Sequence, residues 1–496
     1  VTAAAAPAAS PASTGEQPGV RLARSRRNAE LSLLLLAMVL VAAYAATVEA
    51  NVLDTVTPDF WIPAAALGLV FLGLHLVIRW LAPFADPALL PAVALLNGIG
   101  VGFLRRYDLA NAAPEQRESL AIFAGTGGRQ LAWTLGAVIL AAALLAIMRD
   151  HRSLSRYAYT LGLAGIVLVM IPAVLPGRFS EVNGAKLWIR LGGFQIQPGE
   201  FAKLALLTFF AYYLVRKREV LSLASRRVLG IDFPRGRDLG PVLVVWLISI
   251  LVLVFEKDLG TSLLYFGMFV VTLYIATERV SWLLIGLILF FGGAYLAYVL
   301  GSTVGGPFAN FYDRAQIWLD PFAEPYDRGY QLVQGLLTLG TGGLFGAGPG
   351  GGQPTLLPEV QTDFIFAGIG EEIGLFGLSA LLVVYLLIVE RGLRAALAVR
   401  DSFGKLLAGG LAFTLGLQVF VIVGGISKLI PLTGQTTPFL SAGGSSLMAN
   451  WLLIAVLLRV SDGARRPVTG GGGPAARPSG GPPEQLHGAP TEVIRP

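Results

Sequence analysis

The sequence predicts an all-α, polytopic membrane protein with about twelve transmembrane helices, and three observations carry that prediction. Of 496 residues, 54% are hydrophobic and only 14% charged, where a soluble domain carries about a quarter. Mean hydropathy is +0.67. The apolar residues fall in solid runs of roughly 20, which suit helices, and do not alternate over about 10 as barrel strands do. Hydrocarbon offers no partner to a backbone N–H or C=O, so each span must satisfy its own hydrogen bonds.

In chain order, residues 1–30 precede the first run and are expected to be disordered on the cytoplasmic side. Their first 20 residues are rich in Ala, Pro, Ser and Thr and cannot bury enough apolar surface to fold. Arg21, Arg24, Arg26 and Arg27 then lead into a run at 31–49. That run is long enough to span and is followed by others, which argues against a cleavable signal. Further runs lie at 59–79, 87–104, 130–148, 157–176, 200–215, 239–255, 259–277, 281–300, 363–390, 405–427 and 437–460. The Gly/Pro-rich tail 463–496 is expected to be disordered.

Basic residues fix the orientation. Arg149, Arg152 and Arg156 form one short basic loop, and Arg216, Lys217, Arg218, Arg226, Arg227, Arg235 and Arg237 a second. Arg391, Arg394, Arg400 and Lys405 form a third, with Arg465 and Arg466 following the last run. Both termini in the cytoplasm put all of these inside, as the positive-inside rule asks. Segment 105–129, with Arg105 and Arg106, is the exception; its Asp108, Glu115 and Glu118 count for little. On this topology, loop 177–198, residues 256–258, the large loop 301–361 and Lys428 reach the outer face. The net charge of +6 therefore reads as a topology signal, with no nucleic acid implied.

The chain has no cysteine, which excludes disulfides, thiolate metal sites and cysteine nucleophiles. Its three histidines, His75, His151 and His487, are scattered, so a metal site would have to use carboxylates.

Ionisable residues inside or at the rim of apolar helices are functional suspects, since a charge there costs several kcal/mol unless paired or hydrated. In QPGEFAKLALL, Glu200 and Lys203 stand at i and i+3 on one helix face and can neutralise each other. They either hold the bundle together or also tune a catalytic group. In LVLVFEKDLGTSLLYFG, Asp258 precedes a helix start, as an N-cap or as a general base at the membrane surface. Loop 301–361, with Arg314, Asp320, Tyr330 and Gln331, is too long for a simple connector. Its GAGPGG follows no strand and no Lys-Ser/Thr comes after it, so tight turns explain the glycines better than a nucleotide does. LPEVQTDFIFAGIGEEIG sets Glu359, Asp363, Glu371 and Glu372 at and within one helix, where they must face a cavity, a metal or cations. After Lys428, PLTGQTTPFLSAGGSS interrupts a helix pair with hydroxyl-rich backbone, tolerated at depth only when it is buried in protein or lines a cavity.

Taken together, QPGEFAKLA, EKDLGTS, GYQLVQGLLTLGTGGLFGAG, LPEVQTDFIF with GEEIG, and PLTGQTTPFLSAGGSS resemble the ordered motif set of the RodA/FtsW/SpoVE (SEDS) family over roughly 180–460. The resemblance implies a peptidoglycan glycosyltransferase that polymerises lipid II outside the cytoplasmic (inner) membrane. The acceptor's sugar 4-hydroxyl would attack the donor's anomeric carbon and expel undecaprenyl pyrophosphate. Asp258 would be the base, with Glu200 and Lys203 shaping the cavity beside it. Lys186, Arg190, Arg314 and Lys428 would meet the pyrophosphate charge. Tyr330, Gln331, Glu359, Asp363, Ser441 and Ser445, within the matching motifs, complete the candidate substrate contacts. A divalent cation such as Mg2+ or Mn2+ is compatible with this chemistry, and a class B penicillin-binding transpeptidase is the implied partner.

On this reading 31–150 holds N-terminal helices partly additional to the family core, which occupies 151–462. The first two spans are the addition, because QPGE falls in the sixth run. The sequence departs from the family pattern at Gly199, Glu256-Lys257, Gln361 and Gln435-Thr436-Thr437, where Ser, Gln-Pro, His and other residues are usual. The elongation (RodA-like) branch is the expectation; the alternatives are an FtsW-like division polymerase and a lipid II translocase.

Overall fold

A computed structural model of the chain describes residues 18–57, 61–113, 117, 125–182, 185–191, 194–221, 224–228, 231–234 and 240–467. The expected disorder of 1–17 and 468–496 lies outside the described residues, as do Glu115, Glu118, Arg235 and Arg237. The helices are α1 (Pro18–Leu53), α2 (Trp61–Leu81), α3 (Leu89–Asn111), α4 (Gly125–Ile147), the short α5 (Ser153–Arg156), α6 (Ala158–Val174), the short α7 (Gly177–Ser180) and α8 (Pro198–Leu221). They continue with α9 (Gly240–Phe255), α10 (Leu259–Thr277), α11 (Val280–Thr303), α12 (Ala309–Leu319), α13 (Tyr330–Gly342), α14 (Ile365–Ala398), α15 (Ser402–Ile426) and α16 (Gly444–Arg465).

Each of the twelve apolar runs is found as a helix. Among the described residues, nine helices are long and apolar enough to cross a membrane on their own. The other three runs fall short of that test for plain reasons. α6 has 17 residues and α9 has 16, while α8 carries Glu200 and Lys203 in its first turns and a basic end. The protein is a polytopic all-α membrane protein.

Burial separates an inner layer from an outer one. In α3 and α16, 83% of the apolar stretch is buried, against 11% in α11. A helix that is apolar all round belongs inside a bundle or against lipid, and these two cases fill both places. α16 packs on α4, α1 on α3, α6 on α8, and α14 on α15.

Two expectations, at residues 18–30 and at the run 437–460, need correction, and two further features were not anticipated. Residues 18–30, expected to be disordered, are helical, because Arg27 and Glu30 pair at 2.5 Å in the interior and Arg27 also donates to the Ala85 carbonyl. Loop 301–361 is not free of secondary structure: it holds α12 and α13, which rest on α11 and α14. The run at 437–460 becomes helical only at Gly444, the residues before it being irregular. Strands also occur, as antiparallel hairpins: β1 (Glu181–Val182) with β2 (Ala185–Lys186), β3 (Ile189–Leu191) with β4 (Phe194–Ile196), and β5 (Ala224–Val228) with β6 (Ile231–Pro234).

α14 is broken inside. Gly374 has φ 66° and ψ −174°, a conformation open essentially to glycine alone, and it separates residues 365–373 from the longer remainder. The freed backbone groups are stitched to the loop after α13. Leu375 N–H donates to Gly343 (2.9 Å) and Phe376 N–H to Leu344 (3.1 Å), while Ala347 and Gly348 donate to the Glu371 and Glu372 carbonyls at 2.8 and 3.0 Å. A helix interrupted in an apolar bundle needs such substitutes for its lost hydrogen bonds.

Candidate active site

The site begins where α9 ends and α10 starts. Lys257 takes φ 58°, which turns the chain, and Asp258 becomes the N-cap of α10. One oxygen of Asp258 accepts from Thr261 N–H at 2.9 Å, and the other accepts from the Thr261 hydroxyl. This is the N-cap the sequence allowed, and it ties up a buried carboxylate that is only 5% exposed. Burial raises the Asp258 carboxyl above the usual range, against the Thr261 hydrogen bonds and the charge of Arg314, while Glu200 adds to the rise. Glu256, also buried, is pushed to about 9 by burial and by Asp258, so it is neutral at pH 7. Of the three charges in EKD, one is thus silent, one is exposed, and Asp258 is held in the interior.

Irregular backbone between α15 and α16 closes over this cap. Gln435 Nε2 donates to the Thr261 hydroxyl at 3.2 Å. The approach requires Gly260, because a Cβ there would stand 2.4 Å from Gln435 Cγ. Among the described residues, Gln435 Oε1 and the Thr436 and Thr437 hydroxyls find no hydrogen-bond partner. Buried acceptors left open beside a carboxylate are the kind of group a polar substrate or water can satisfy.

α12 brings in the cation. Arg314 Nη1 donates to the Leu432 carbonyl at 2.7 Å, and Trp318 Nε1 donates to the Lys428 carbonyl at 3.1 Å, so α12 is pinned to the segment after α15. Gly434 stands between two charges: its Cβ position is 3.6 Å from Arg314 Nη2 and 3.6 Å from Asp363 Oδ2. Burial and the neighbouring Glu359 push Asp363 to about 6, with Arg314 opposing. Asp258, Arg314 and Asp363 therefore share one electrostatic neighbourhood.

Beneath them lies the intramembrane pair. Lys203 Nζ donates to Glu200 (2.7 Å), to Gln418 of α15 (3.0 Å) and to Asn450 of α16 (3.2 Å), so one ammonium joins three helices. Tyr265 on α10 donates to the Gly199 carbonyl at 2.9 Å and links that pair to the Asp258 helix.

Other expected contacts fall elsewhere. Ser441 is committed to backbone: it accepts from Thr437 N–H (2.8 Å) and donates to the Thr362 carbonyl (2.5 Å). Ser445 accepts from Gln197 N–H at 2.9 Å. Both hydroxyls tie irregular backbone in place. Lys186 and Arg190 sit on the β1–β2 and β3–β4 hairpins, where Arg190 reaches the Glu181 carbonyl at 3.5 Å. Tyr330 and Gln331 open α13, and Glu359 takes φ 53° and accepts from the Thr362 hydroxyl at 3.1 Å. Lys428 also turns the chain, at φ 60°. Sequence reasoning missed Thr261, Gln435, Gln418 and Asn450. Only Thr261 carried a local signal, as the third residue after a capping aspartate. Among the described residues, no three carboxylates or histidines converge as a metal cluster.

Comparison with known proteins gives the family. The FtsW/RodA/SpoVE cell cycle protein model matches residues 87–466, which leaves α1 and α2 outside the match. The Mycobacterium tuberculosis (strain H37Rv) peptidoglycan glycosyltransferase RodA is 51% identical over 449 residues, 90% of this chain and 92% of the relative. A probable peptidoglycan glycosyltransferase FtsW of Geobacter sp. (strain M18) is 37% identical over 64% of this chain and 82% of its own length. Among solved structures, a chain of a peptidoglycan synthase complex described as coordinating polymerization and crosslinking is 28% identical. It has a TM-score of 0.58 and covers 77% of this chain and 99% of its own length. Thermus thermophilus RodA is 26% identical, with a TM-score of 0.52 over 77% of this chain and 98% of its own. With a family match over most of its length and a 51% identical relative spanning nine-tenths of it, the chain belongs to the FtsW/RodA/SpoVE family.

Proposed function

We propose that this protein is a RodA-type peptidoglycan glycosyltransferase that polymerises lipid II at the outer face of the cytoplasmic membrane, with Asp258 as general base. The observation that carries the assignment of Asp258 is its buried N-cap carboxylate, raised above the ordinary range and set beside Arg314. A base must hold its proton affinity near working pH, and partial desolvation supplies that. Asp258 takes the proton of the acceptor's 4-hydroxyl as that oxygen forms its bond to the donor's anomeric carbon. The bond to undecaprenyl pyrophosphate breaks, and the electron pair leaves with the pyrophosphate. Arg314 faces the developing charge. Asp258 and Asp363 would hold a hard divalent cation only with substrate oxygens completing its shell.

The elongation role is favoured over division by 51% identity to RodA against 37% to FtsW. A class B transpeptidase partner follows from the family resemblance and from likeness to a synthase complex. The orientation with both termini in the cytoplasm rests on the basic loops. The test is a polymerisation gel with purified wild type and Asp258→Asn, each given lipid II with and without a partner transpeptidase. Wild type is expected to make glycan strands and the variant, equally monodisperse in detergent, none. Polymer from both removes Asp258 as the base; polymer from neither, with the partner present, points to lipid transport.

A further inference from the structure

α1 lies outside the family match, yet it reaches the part of the fold that presents Asp363. The Tyr44 hydroxyl donates to Glu372 Oε2 at 2.8 Å. Glu372, 1% exposed, also ion-pairs with Arg106 of α3 at 3.3 Å and accepts from the Gly350 amide. Arg106 in turn donates to the Gly352 carbonyl at 2.6 Å. About two turns further along α1, Asn51 Nδ2 donates to the Pro349 carbonyl at 2.7 Å. Glycine loop 343–352 is thus held from one side by α1 and α3. From the other side it is held by the stitches to the break in α14 and by Glu371, which accepts from Gln353 N–H at 3.0 Å.

The break gives this arrangement its consequence. Residues 365–373 form a half-helix separated from the longer half at Gly374. Their polar anchors are the side chains and carbonyls of Glu371 and Glu372. Asp363 stands two residues before this half-helix begins, and Phe364 packs where a Cβ on Gly335 of α13 would sit, 2.3 Å from its ring. A shift of the half-helix therefore moves Asp363 relative to Arg314.

We propose that Tyr44, on the added N-terminal span, is a positioning residue for the polymerisation site, acting through Glu372 and Arg106 on the half-helix that presents Asp363. The added pair α1–α2 is then a working part of the outer site and no mere membrane anchor. Removing the Tyr44 hydroxyl leaves a buried carboxylate one donor short, and that penalty falls on the Gly350 and Arg106 contacts that fix the loop. This rests on the polymerase reading for its activity measurement but not for its structural one.

The experiment uses full-length wild type, Tyr44→Phe, Glu372→Gln, the double variant, and Tyr44→His, which restores a donor. Amide hydrogen exchange and polymerisation of lipid II are followed in each. Tyr44→Phe is expected to lose protection in 343–353 and 363–373 by tenfold or more while α15 and α16 keep theirs. Its kcat is expected to fall about five- to tenfold with KM for lipid II nearly unchanged. The double variant should be no worse than Glu372→Gln alone, and Tyr44→His should recover part of the rate. Unchanged exchange in 343–353, additive effects in the double variant, or a protection loss spread over the whole bundle would each overturn the proposal. If wild type makes no polymer, the functional reading fails, and the exchange pattern still decides the role of Tyr44.

Discussion

One ammonium, that of Lys203, holds α8, α15 and α16 together. Lys203 is 2% exposed and Glu200 8%, and Lys203 holds three acceptors on three helices. Lys203→Met removes the cation and leaves the Glu200 carboxylate buried without its partner, which costs about 3–5 kcal/mol. Glu200→Gln leaves the ammonium three neutral acceptors and costs about 1.5–3 kcal/mol, the worth of a charged hydrogen bond. In the double variant no charge remains, and the loss reduces to two neutral contacts at Gln418 and Asn450, about 2 kcal/mol in all. The second substitution is therefore expected to rescue the first by about 1–3 kcal/mol. Tryptophan fluorescence during denaturant unfolding in one detergent gives the comparison, with recovery of monodisperse protein after heating as a second readout. A double variant no more stable than Lys203→Met would mean that Glu200 was never held by Lys203.

Three further outcomes follow from single geometric facts. Gly260→Ala should leave stability within about 1 kcal/mol, because alanine suits a helix, yet its methyl would stand 2.4 Å from Gln435 Cγ and displace Gln435 from Thr261. Polymer yield should then fall at least tenfold, and an unchanged yield would remove Gln435 from the site. Gly374→Ala should destabilise by at least about 2 kcal/mol, since its φ of 66° suits only glycine and a Cβ would meet the Gly346 nitrogen at 2.3 Å; a wild-type thermal midpoint would contradict the broken helix. For pH dependence, Asp363 stands at about 6, raised by burial and then by Glu359. If ionised Asp363 supports catalysis, the rate drops as pH falls through about 6. Glu359→Gln removes one raising charge, so the acid limb should move to lower pH, and a limb that stays in place would detach it from Asp363.

What the sequence could reveal was set by distance along the chain. Glu200 and Lys203 were legible because they stand one helical turn apart in an apolar run, and Asp258 because a capping aspartate and its threonine are three residues apart. The contacts that assemble the site span far more: Arg314 to Leu432 is 118 residues, Gln435 to Thr261 is 174, and Tyr44 to Glu372 is 328. Periodicity says which face of a helix is apolar but not which helices meet. Ser441 and Ser445 show the same limit from the other direction, since a hydroxyl is visible in sequence while the backbone group that claims it is not. α12 and α13, at 11 and 13 residues, are too short to hold as isolated helices, and the neighbours that stabilise them lie far off in sequence.

Three groups of the candidate site stand at interruptions between helices. Asp258 fills the gap between α9 and α10, Gln435 the irregular segment before α16, and Asp363 the approach to α14. In an apolar bundle each interruption frees backbone groups that must find polar partners, so polar side chains are drawn to the same places where a polar substrate could be received. The same demand divides the work of Arg314. Its Nη1 is held by the Leu432 carbonyl at 2.7 Å, and the Cβ position of Gly434 lies 3.7 Å from Nη1 and 3.6 Å from Nη2. A planar fork can pin the backbone with one arm and present charge with the other, whereas an ammonium would have to divide one point charge between both tasks.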